Sequence, residues 1–429
     1  MSEEARPPST EYAPKRKADV ARKRTVGRVI LASVVVLALV TGLGVVYLIR
    51  HLNGNIETGS FDALGDGRPE KTYTGNGDPL NILVMGDDTR EGAGNEIDGE
   101  GGGGSDTTIL VHLSADRERA YAVSIPRDSI VDRPECGDSP AANDVMWNAA
   151  FSVGGETCTA DQFEQMTGVL LDHYVVIDFN GFGEMVDAVG GVPVCVPKDI
   201  VDRKHAIFVP EGDPSLLSGD QALDYVRARY VGKLIEQNDI SRIRRQQEFI
   251  GALVREVKSA GTLTRLDRVV NFLDAATRSL RTDEELGSVT RIGKIALQLQ
   301  SIGLDKVKFV TLPTDYFPND SEFRGKLFWE PEATQIWKLI AQDKELPAKL
   351  IGDTSVSAEG PPGSSESPSP SAGSETPSPT ETPSETPSET PTETPSETPS
   401  ETASESPTQT PSETPTTKPP EKKIFGVCA

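Results

Sequence analysis

Residues 80–90 have the sequence LNILVMGDDTR, an apolar run that ends at a glycine and continues into two aspartates and an arginine. The run Leu80 to Met85 predicts a buried β-strand, because it is short, apolar and closed by a turn-forming residue. Two more strands are predicted after it, Thr107 to Leu113 and Arg119 to Ile125. The acidic residues therefore follow the end of a strand, where an α/β sheet usually carries its site.

Helices alternate with strands along the rest of the chain. Ser218 and Gln221 have the spacing of a capping box, which predicts a helix that starts there and runs toward Arg227. Further strands are predicted at 192–196 and 307–312, and further helices at 182–189, 239–258, 263–280, 283–301 and 331–342. This alternation is typical of an α/β fold rather than a helical bundle.

Val29 to Ile49 is an apolar run bounded by Arg28 and Arg50, and at ~1.5 Å per residue it is long enough to cross ~30 Å of hydrocarbon. It predicts a transmembrane helix. A cleaved signal peptide fits less well, because the run exceeds the usual ~7–15 residues and no small-x-small cleavage site follows it. Basic residues crowd the N-terminal side, so the positive-inside rule predicts a single-pass protein of the cell membrane with a cytoplasmic N-terminus and an extracellular remainder.

These features divide the chain into five segments. They are a cytoplasmic basic segment 1–28, a transmembrane helix 29–49, a linker 50–78, a folded domain 79–350 and a disordered tail 351–429 rich in Ser, Thr, Pro and Glu. Ser-Glu-Thr-Pro repeats in the tail have almost no large apolar residue, so no core would offset the entropy of ordering. The tail would be either a spacer through the cell wall or a solubilising extension.

The formal net charge of -23 argues against a nucleic-acid partner, because phosphate backbones repel an acidic surface. Four cysteines without CxxC or Cys/His ligand spacing argue against zinc, and outside the cell they would form disulfides. Cys136 is expected to pair with Cys158, which leaves Cys195 with Cys428. Four cysteines allow three pairings, so the other two stay open.

Carboxylates occur at the ends of two neighbouring predicted strands. Asp87 and Asp88 follow the first strand, and Asp106 lies at the start of the second. Such carboxylates would hold a divalent cation, since Mg²⁺ needs only one or two of them when substrate phosphates supply the other ligands. The alternative is that these aspartates cap turns.

Arginines are concentrated in two places of an otherwise acidic chain. Arg127 follows the third strand and is next to Asp128, and five arginines lie between 227 and 245. Guanidinium groups suit a diphosphate because they donate bidentately and stay charged. The alternatives are a weak surface ion pair at Arg127 and a solvated basic helix face at 227–245.

Helix geometry restricts how these arginines would act together. Residues two apart on a helix point nearly opposite ways, so Arg227 and Arg229 would serve one site only if the helix ends between or just after them. Asp239, Arg242 and Gln246 are spaced i, i+3 and i+7, which places them along one helical face.

The ordered set of motifs resembles the LytR-CpsA-Psr family. The motifs are Leu83 to Arg90, Ser105 to Thr107, Ser124 to Asp128, Asn148 to Phe151, Asp172 to Tyr174, Val186 to Val192, Ala222 to Arg229 and Asp239 to Gln247. The resemblance implies an α/β/α sandwich with a central mixed sheet. It also implies an extracytoplasmic phosphotransferase that moves a glycopolymer from a polyprenyl-pyrophosphate carrier onto a peptidoglycan hydroxyl and releases polyprenyl phosphate.

The resemblance also implies roles for single residues. Asp88 and Asp106 would hold Mg²⁺ or Mn²⁺, and Asp128 would either orient Arg127 or act on the acceptor proton. The pyrophosphate would be bound by Arg90, Arg127, Arg227, Arg229 and Arg242, with Gln246 as a helper. Alternative functions are a pyrophosphatase acting on the lipid carrier and a non-catalytic protein that binds the wall. The sequence does not specify which glycopolymer is transferred.

Overall fold

The computed structural model describes residues 16–64, 67–87, 104–203, 206–228, 239–351 and 356–357. The helices are α1 (Arg16–Asn55), α2 (Ala149–Thr167), α3 (Phe179–Val189), α4 (Gly219–Arg227), α5 (Asp239–Lys258), α6 (Ala260–Leu263), α7 (Leu266–Ser279), α8 (Val289–Ile302), α9 (Pro331–Ala341) and α10 (Ala348–Ile351). The strands in the first half are β1 (Glu57–Gly59), β2 (Leu80–Asp87), β3 (Ser105–Leu113), β4 (Ala120–Ile125), β5 (Ile130–Arg133), β6 (Ala142–Met146), β7 (His173–Asp178) and β8 (Val192–Val196). The remaining strands are β9 (Ile200–Asp202), β10 (Ile207–Val209), β11 (Gly212–Leu217), β12 (Leu280–Asp283), β13 (Val307–Thr311), β14 (Thr314–Tyr316), β15 (Leu327–Trp329) and β16 (Val356–Ser357).

A mixed sheet with the strand order β1-β12-β7-β2-β3-β4-β13-β16 forms the centre of the domain. Strand β2 is parallel to β7 and antiparallel to β3, and β4 is antiparallel to β3 and parallel to β13. Because β3 runs against its neighbours, its first residues lie beside the last residues of β2 and β4. Polar residues at these strand ends therefore share one edge of the sheet.

Apolar side chains cover both faces of the sheet. On one face Leu110 belongs to a core that also contains Phe163 of α2 and Trp337 of α9. On the other face Ile109 belongs to a core that contains Ile302 of α8. Adjacent residues of a strand point to opposite faces, so β3 contributes to both cores. The predicted α/β/α sandwich with a central mixed sheet is confirmed.

The N-terminal apolar segment is part of one long helix, α1. An 18-residue window within its section from Val26 to Asn55 has a mean hydropathy of 2.8 and is not buried inside the protein. The helix is therefore long and apolar enough to cross a membrane, which agrees with the predicted single-pass anchor. The predicted disordered tail lies outside the described residues, apart from Ile351 and the strand β16.

The segment expected to be a linker, 50–78, differs from that expectation in its first part. Helix α1 continues to Asn55, and β1 pairs in parallel with β12 at the sheet edge. Leu52 and Ile56 are buried, with 2% and 9% of their surface exposed. Few apolar residues occur in this Gly- and Asp-rich segment, so its pattern gives little sign that single side chains enter the core.

Other elements were not predicted, among them β7, a central strand of the sheet. The helices predicted at 263–280 and 283–301 are α7 and α8, and the short strand β12 between them was not predicted. Helix α2 was also not predicted, because Gly154 and Gly155 interrupt its pattern and have non-helical backbone angles. The predicted capping box is present at the start of α4.

A disulfide joins Cys136 and Cys158, as expected, with 5.4 Å between their Cα atoms. It ties the segment after β5 to helix α2, and both cysteines are buried against Ala150. Cys195 is also disulfide-bonded. Cys428, its expected partner, lies outside the described residues.

Replacing both cysteines of this disulfide, C136A together with C158A, is expected to lower the free energy of unfolding by about 3 kcal/mol, because the open chain gains loop entropy when unfolded. Chemical denaturation of the full chain in detergent measures this. The exposed Val153 of α2 provides a control, since V153A removes a similar amount of apolar surface from the same helix without opening the loop. Equal stability losses in the two variants would contradict a stapling role for the disulfide.

Candidate anion-binding site

Asp106 and Arg127 meet at the edge of the sheet where β3 begins and β4 ends. The Nη1 atom of Arg127 donates to Oδ1 of Asp106 at 2.5 Å. Only 18% of the Arg127 side chain and 11% of the Asp106 side chain are exposed. The antiparallel pairing of β3 with β4 explains the contact, because it places the second residue of β3 next to the chain leaving β4.

Helix α5 brings a second arginine to the same carboxylate. Arg242 donates from Nη1 to Oδ2 of Asp106 at 3.3 Å and from Nη2 to the Asp106 carbonyl oxygen at 3.2 Å. Its Nη2 atom also lies 2.5 Å from Oδ1 of Asp239, one turn earlier on α5. Asp239 and Arg242 therefore lie on one face of α5, as predicted. We call Asp106, Arg127, Asp239 and Arg242 the arginine–aspartate cluster.

The cluster keeps its arginines charged although they are largely buried. Burial acts to lower the pKa of the Arg127 guanidinium, but the negative charges of neighbouring carboxylates outweigh burial, and its pKa is raised. These carboxylates belong to Asp106, Asp128 and Asp239. Among the described residues, Nε of Arg127 and Oδ2 of Asp239 are buried without a hydrogen-bond partner. Unused polar atoms next to a charged cluster are suited to a polar ligand.

Arg227 fulfils the geometric condition set by the sequence. Helix α4 ends at Arg227, and Ala228 has the non-helical ψ of 123°. The guanidinium carbon of Arg227 lies 4.5 Å from the centre of the Phe179 ring, a cation–π contact. A Cβ atom placed on Gly86 would lie 3.2 Å from that ring and 3.3 Å from Cβ of Thr107. Phe179 thus connects Arg227 to the strand ends that carry Asp106.

Arg245 and Gln246 hold the end of α4 in place. The buried guanidinium of Arg245 donates from Nε to the Tyr225 carbonyl at 3.3 Å and from Nη2 to the Ala228 carbonyl. Nε2 of Gln246 donates to the Val226 carbonyl at 3.4 Å. Burial lowers the pKa of Arg245 to about 10. Gln246, predicted to contact substrate, therefore braces the helix end, and its substrate role stays a prediction.

The support given by Arg245 was not predicted, although the sequence carries a signal for it. Arg245 is four residues before Phe249, so it lies on the helix face that points into the core. A charged residue at such a position needs buried partners. Carbonyl groups at the end of a helix supply them, because they lack partners within the helix.

A second group of side chains surrounds Asp128. Nζ of Lys326 lies 3.1 Å from Oδ1 of Asp128, and Nε of Arg127 lies 4.0 Å from its Oδ2. The backbone nitrogen of Leu327 donates to the Asp128 carbonyl at 3.1 Å. Burial and the charges of Asp239 and Asp128 raise the pKa of Tyr316. Lys326 and Tyr316 were not predicted, because they lie far away in the chain and carry no motif.

Asp87, at the end of β2, has a partner of its own. Nη2 of Arg281 lies 3.3 Å from Oδ2 of Asp87 and 3.1 Å from Oε2 of Glu156. Arg281 belongs to β12, which was not predicted, and no sequence motif connects it with Asp87. The group extends the line of charged residues along the same sheet edge.

Three of the predicted site residues, Asp88, Arg90 and Arg229, lie outside the described residues. Within the described ranges no group of three or more His, Cys, Asp and Glu side chains is arranged to hold a metal ion. Both carboxylate oxygens of Asp106 accept from arginines. Mg²⁺ can be held by one or two carboxylates when phosphates and water supply its other ligands, so Asp106 has the chemistry of one such ligand.

The chain thus combines an α/β/α domain, a helix long and apolar enough to cross a membrane, and arginines that converge at one sheet edge. The LytR_cpsA_psr family model matches residues 52–345, and the chain belongs to this family. Relatives of assigned role agree with this membership, and a solved structure shows the same fold.

The chain is 28% identical over 326 residues to the polyisoprenyl-teichoic acid–peptidoglycan teichoic acid transferase TagV of Bacillus subtilis, covering 74% of this chain and 78% of that protein. It is 31% identical over 316 residues to the cell wall biosynthesis protein LcpA of Corynebacterium glutamicum, covering 66% of this chain and 59% of that protein. The crystal structure of protein gbs0355 from Streptococcus agalactiae has the same fold, with a TM-score of 0.51, 21% identity and coverage of 63% of this chain and 90% of that one.

Replacing Arg245 by methionine, R245M, is expected to lower the free energy of unfolding by about 1–3 kcal/mol, because two buried carbonyls lose their donor. Denaturation of the full chain in detergent measures this. The matched control is R278M, since Arg278 is 52% exposed and makes only surface ion pairs. The role assigned to Arg245 is wrong if R278M is as damaging as R245M.

Proposed function

We propose that the protein is a transferase that moves a glycopolymer from a polyprenyl-pyrophosphate carrier onto a peptidoglycan hydroxyl and releases polyprenyl phosphate. The observation that carries the proposal is the convergence of Arg127 and Arg242 on Asp106, with Arg227 near the same sheet edge. The family membership and the transferase name of the B. subtilis relative support it.

Diphosphate recognition follows from the unused donors of the cluster. A guanidinium has five N–H donors, and Asp106 accepts only one of those of Arg127. The others are oriented in advance, because Asp106 fixes the plane of the guanidinium. Arg242 is 2% exposed and is fixed on two sides by carboxylates, so it would contribute mainly positive charge. Ordered positive charge in a partly dry site is effective at stabilising an oxyanion.

The proposed reaction is a displacement at the phosphorus atom that carries the sugar. The acceptor hydroxyl oxygen forms a new bond to this phosphorus, and the bond from the phosphorus to the bridging oxygen breaks. The bridging oxygen leaves with the lipid as polyprenyl phosphate, and the acceptor proton passes to a base. Negative charge grows on the bridging oxygen, which the arginines would stabilise.

Asp128 is the described carboxylate that we propose for the acceptor side. It lies on the far side of Arg127 from Asp106 and accepts from Lys326. Two roles remain open for it: orienting Arg127, or taking the acceptor proton. In both roles of Asp128, Arg127 would hold the phosphate next to the Asp128 carboxylate.

Asp88 and Asp106 are the residues that we propose to hold Mg²⁺ or Mn²⁺. Such an ion, when bound, would neutralise charge on the diphosphate and polarise the reacting phosphorus. Asp106 would then serve both the ion and the two arginines.

Partly exposed apolar side chains in the middle of the sheet support a lipid-linked substrate. Val84 and Val111 lie on the two central strands of the sheet, yet both are only half-buried. They face the side covered by α5 and α8, together with Ile250 and Leu299. Side chains in the middle of a sheet are normally buried, so the partial exposure indicates space between sheet and helices. Thr107 continues this face toward Asp106, so we propose that the polyprenyl chain lies here.

The location of the reaction follows from the anchor. Basic residues precede the apolar part of α1, which supports an N-terminus in the cytoplasm and a catalytic domain, 79–350, outside the cell. The domain would then lie on the same side of the membrane as peptidoglycan, the proposed acceptor. For the tail, 351–429, we propose a spacer role on composition alone.

Variants of the site residues separate the transferase from a non-catalytic wall-binding protein. R127A, R227A and D88A are each expected to reduce transfer by about 10²–10³-fold, because transition-state charge loses a stabilising partner. R127K should recover little, since lysine does not donate bidentately. Transfer of a lipid-linked polymer to peptidoglycan is measured, with localisation to the wall and R291A, an exposed arginine on α8, as controls.

Unchanged transfer in D88A and R227A would defeat the enzymatic assignment. Product analysis with and without acceptor glycan tests the second candidate, a pyrophosphatase. Release of polymer phosphate to water at the same rate in both conditions would favour that activity instead.

Removal of divalent cations is expected to abolish transfer, and Mg²⁺ should restore it. D88N should need a higher Mg²⁺ concentration for half-maximal activity, because one oxygen ligand becomes neutral. The control is D138N, which changes an exposed carboxylate outside the site. Full transfer in the presence of a strong chelator would show that the proposed ion is not used.

A further inference from the structure

The membrane helix does not end at the membrane but continues into the folded domain. Its apolar run ends at Ile49, while α1 extends to Asn55. Leu48 is half-buried, and Leu52 and Ile56, which follow it at intervals of four residues, are buried. Residues at this spacing lie on one helix face. The last turns of the anchor are therefore docked on the domain along one face.

Polar contacts fix this docking. Nε2 of His51 lies 2.8 Å from Oδ1 of Asp274, and Nδ2 of Asn55 donates to the same oxygen at 3.0 Å. Asn55 also donates to Oγ1 of Thr277 at 3.1 Å. Oδ1 of Asn53 accepts from the backbone nitrogen of Val289 at 2.9 Å. The anchor is thus bonded to α7 and to the start of α8, and β1 then enters the sheet.

These contacts also define the direction of α7. Asp274 lies beside His51, and Thr277 lies beside Asn55, so α7 runs in the same direction as the end of α1. The first residue of α7 is Leu266, which at ~1.5 Å per residue lies roughly 12 Å before Asp274 along the helix. The apolar run of α1 ends at Ile49, just before His51, so the membrane lies on the side from which both helices come. The N-terminal half of α7 therefore points back toward the bilayer.

The side chains in this half of α7 suit a bilayer surface. Leu266 is 76% exposed, and Val269 and Val270 are only half-buried. Arg265 precedes them and is exposed. One exposed leucine on a soluble surface would need no explanation. Here the leucine and its apolar neighbours occur where the anchor brings the domain to the membrane, which is the arrangement of an interfacial helix.

We propose that residues 265–270 form a membrane-contacting surface in which Leu266 enters the lipid interface, so that the docked anchor and α7 together hold the domain in one orientation on the bilayer. The occupant is the bilayer itself, since this surface continues directly from the membrane-spanning helix. The inference rests on the proposed anchor but not on the proposed reaction. It adds to that function a fixed height and tilt of the site above the membrane.

The test uses the full-length protein in vesicles of phosphatidylcholine and phosphatidylglycerol, some containing lipids with a quencher on the acyl chain. An environment-sensitive fluorophore is attached to L266C. The matched control is L297C, because Leu297 is 65% exposed and lies on α8 roughly 12 Å along the helix from Val289, the residue that contacts the anchor. Lipid-borne quencher is expected to reduce emission from position 266 at least about twofold, as for a side chain at the headgroup and acyl boundary, and to leave position 297 unchanged.

Equal quenching at the two positions in protein that floats with the vesicles overturns the membrane-contacting surface while leaving the anchor intact. Protein that does not float with vesicles overturns the anchor and this inference together. Neither result depends on transfer activity, so failure of the proposed reaction is recognised separately.

A second variant tests the docking itself. D274A in the L266C protein removes the carboxylate that binds His51 and Asn55, and it is expected to weaken quenching at position 266 because the domain is then free to tilt. The matched control is E184A, since Glu184 shares the partner Arg278 with Asp274 but does not contact the anchor. Quenching that is unaffected by D274A, or affected equally by E184A, overturns the fixed orientation.

Discussion

The site depends on one carboxylate that is shared by two arginines. Like charges about 4 Å apart repel by about 4 kcal/mol at the effective dielectric constant near a protein surface, so two buried guanidinium groups would separate without a counter-charge. Asp106 supplies that charge, with one oxygen toward Arg127 and the other toward Arg242. The result is a pair of arginines that is ordered before any ligand binds, which lowers the cost of binding an anion.

The topology of the sheet makes this sharing possible. In an all-parallel sheet the start of one strand lies at the opposite edge from the ends of its neighbours. Here β3 runs antiparallel between β2 and β4, so Asp106 at its start lies next to residues that leave the ends of both. Helix α5 then crosses this edge with Asp239 and Arg242 in its first turn. The combination of parallel and antiparallel strands in this sheet thus brings the acidic and basic side chains of the site together.

Local patterns predicted much of the fold but only part of the site. Apolar runs located β2, β3 and β4, and the Ser218–Gln221 spacing located α4, because these signals lie within a few residues of each other. The supporting residues Arg245, Arg281 and Lys326 were not assigned roles, since each acts on a partner that is distant in sequence. The docking of Leu52 was missed for the same reason: burial of one side chain depends on what the rest of the chain places beside it.

Because the anchor is docked on the domain, the membrane restricts the orientation of the domain as well as its location. A flexible linker of the length of 51–78 would span roughly 30 Å on average and let the site sample many heights and tilts. Because Leu52 and Ile56 belong to the buried interior and β1 belongs to the sheet, the chain between membrane and domain has little of that freedom. The lipid carrier of the proposed substrate would move only in the plane of the bilayer, and the orientation of the domain would then decide whether the sheet edge lies at the height of the carrier's diphosphate. The entropy cost of orienting the domain relative to the membrane is incurred once, on folding, rather than each time a substrate binds.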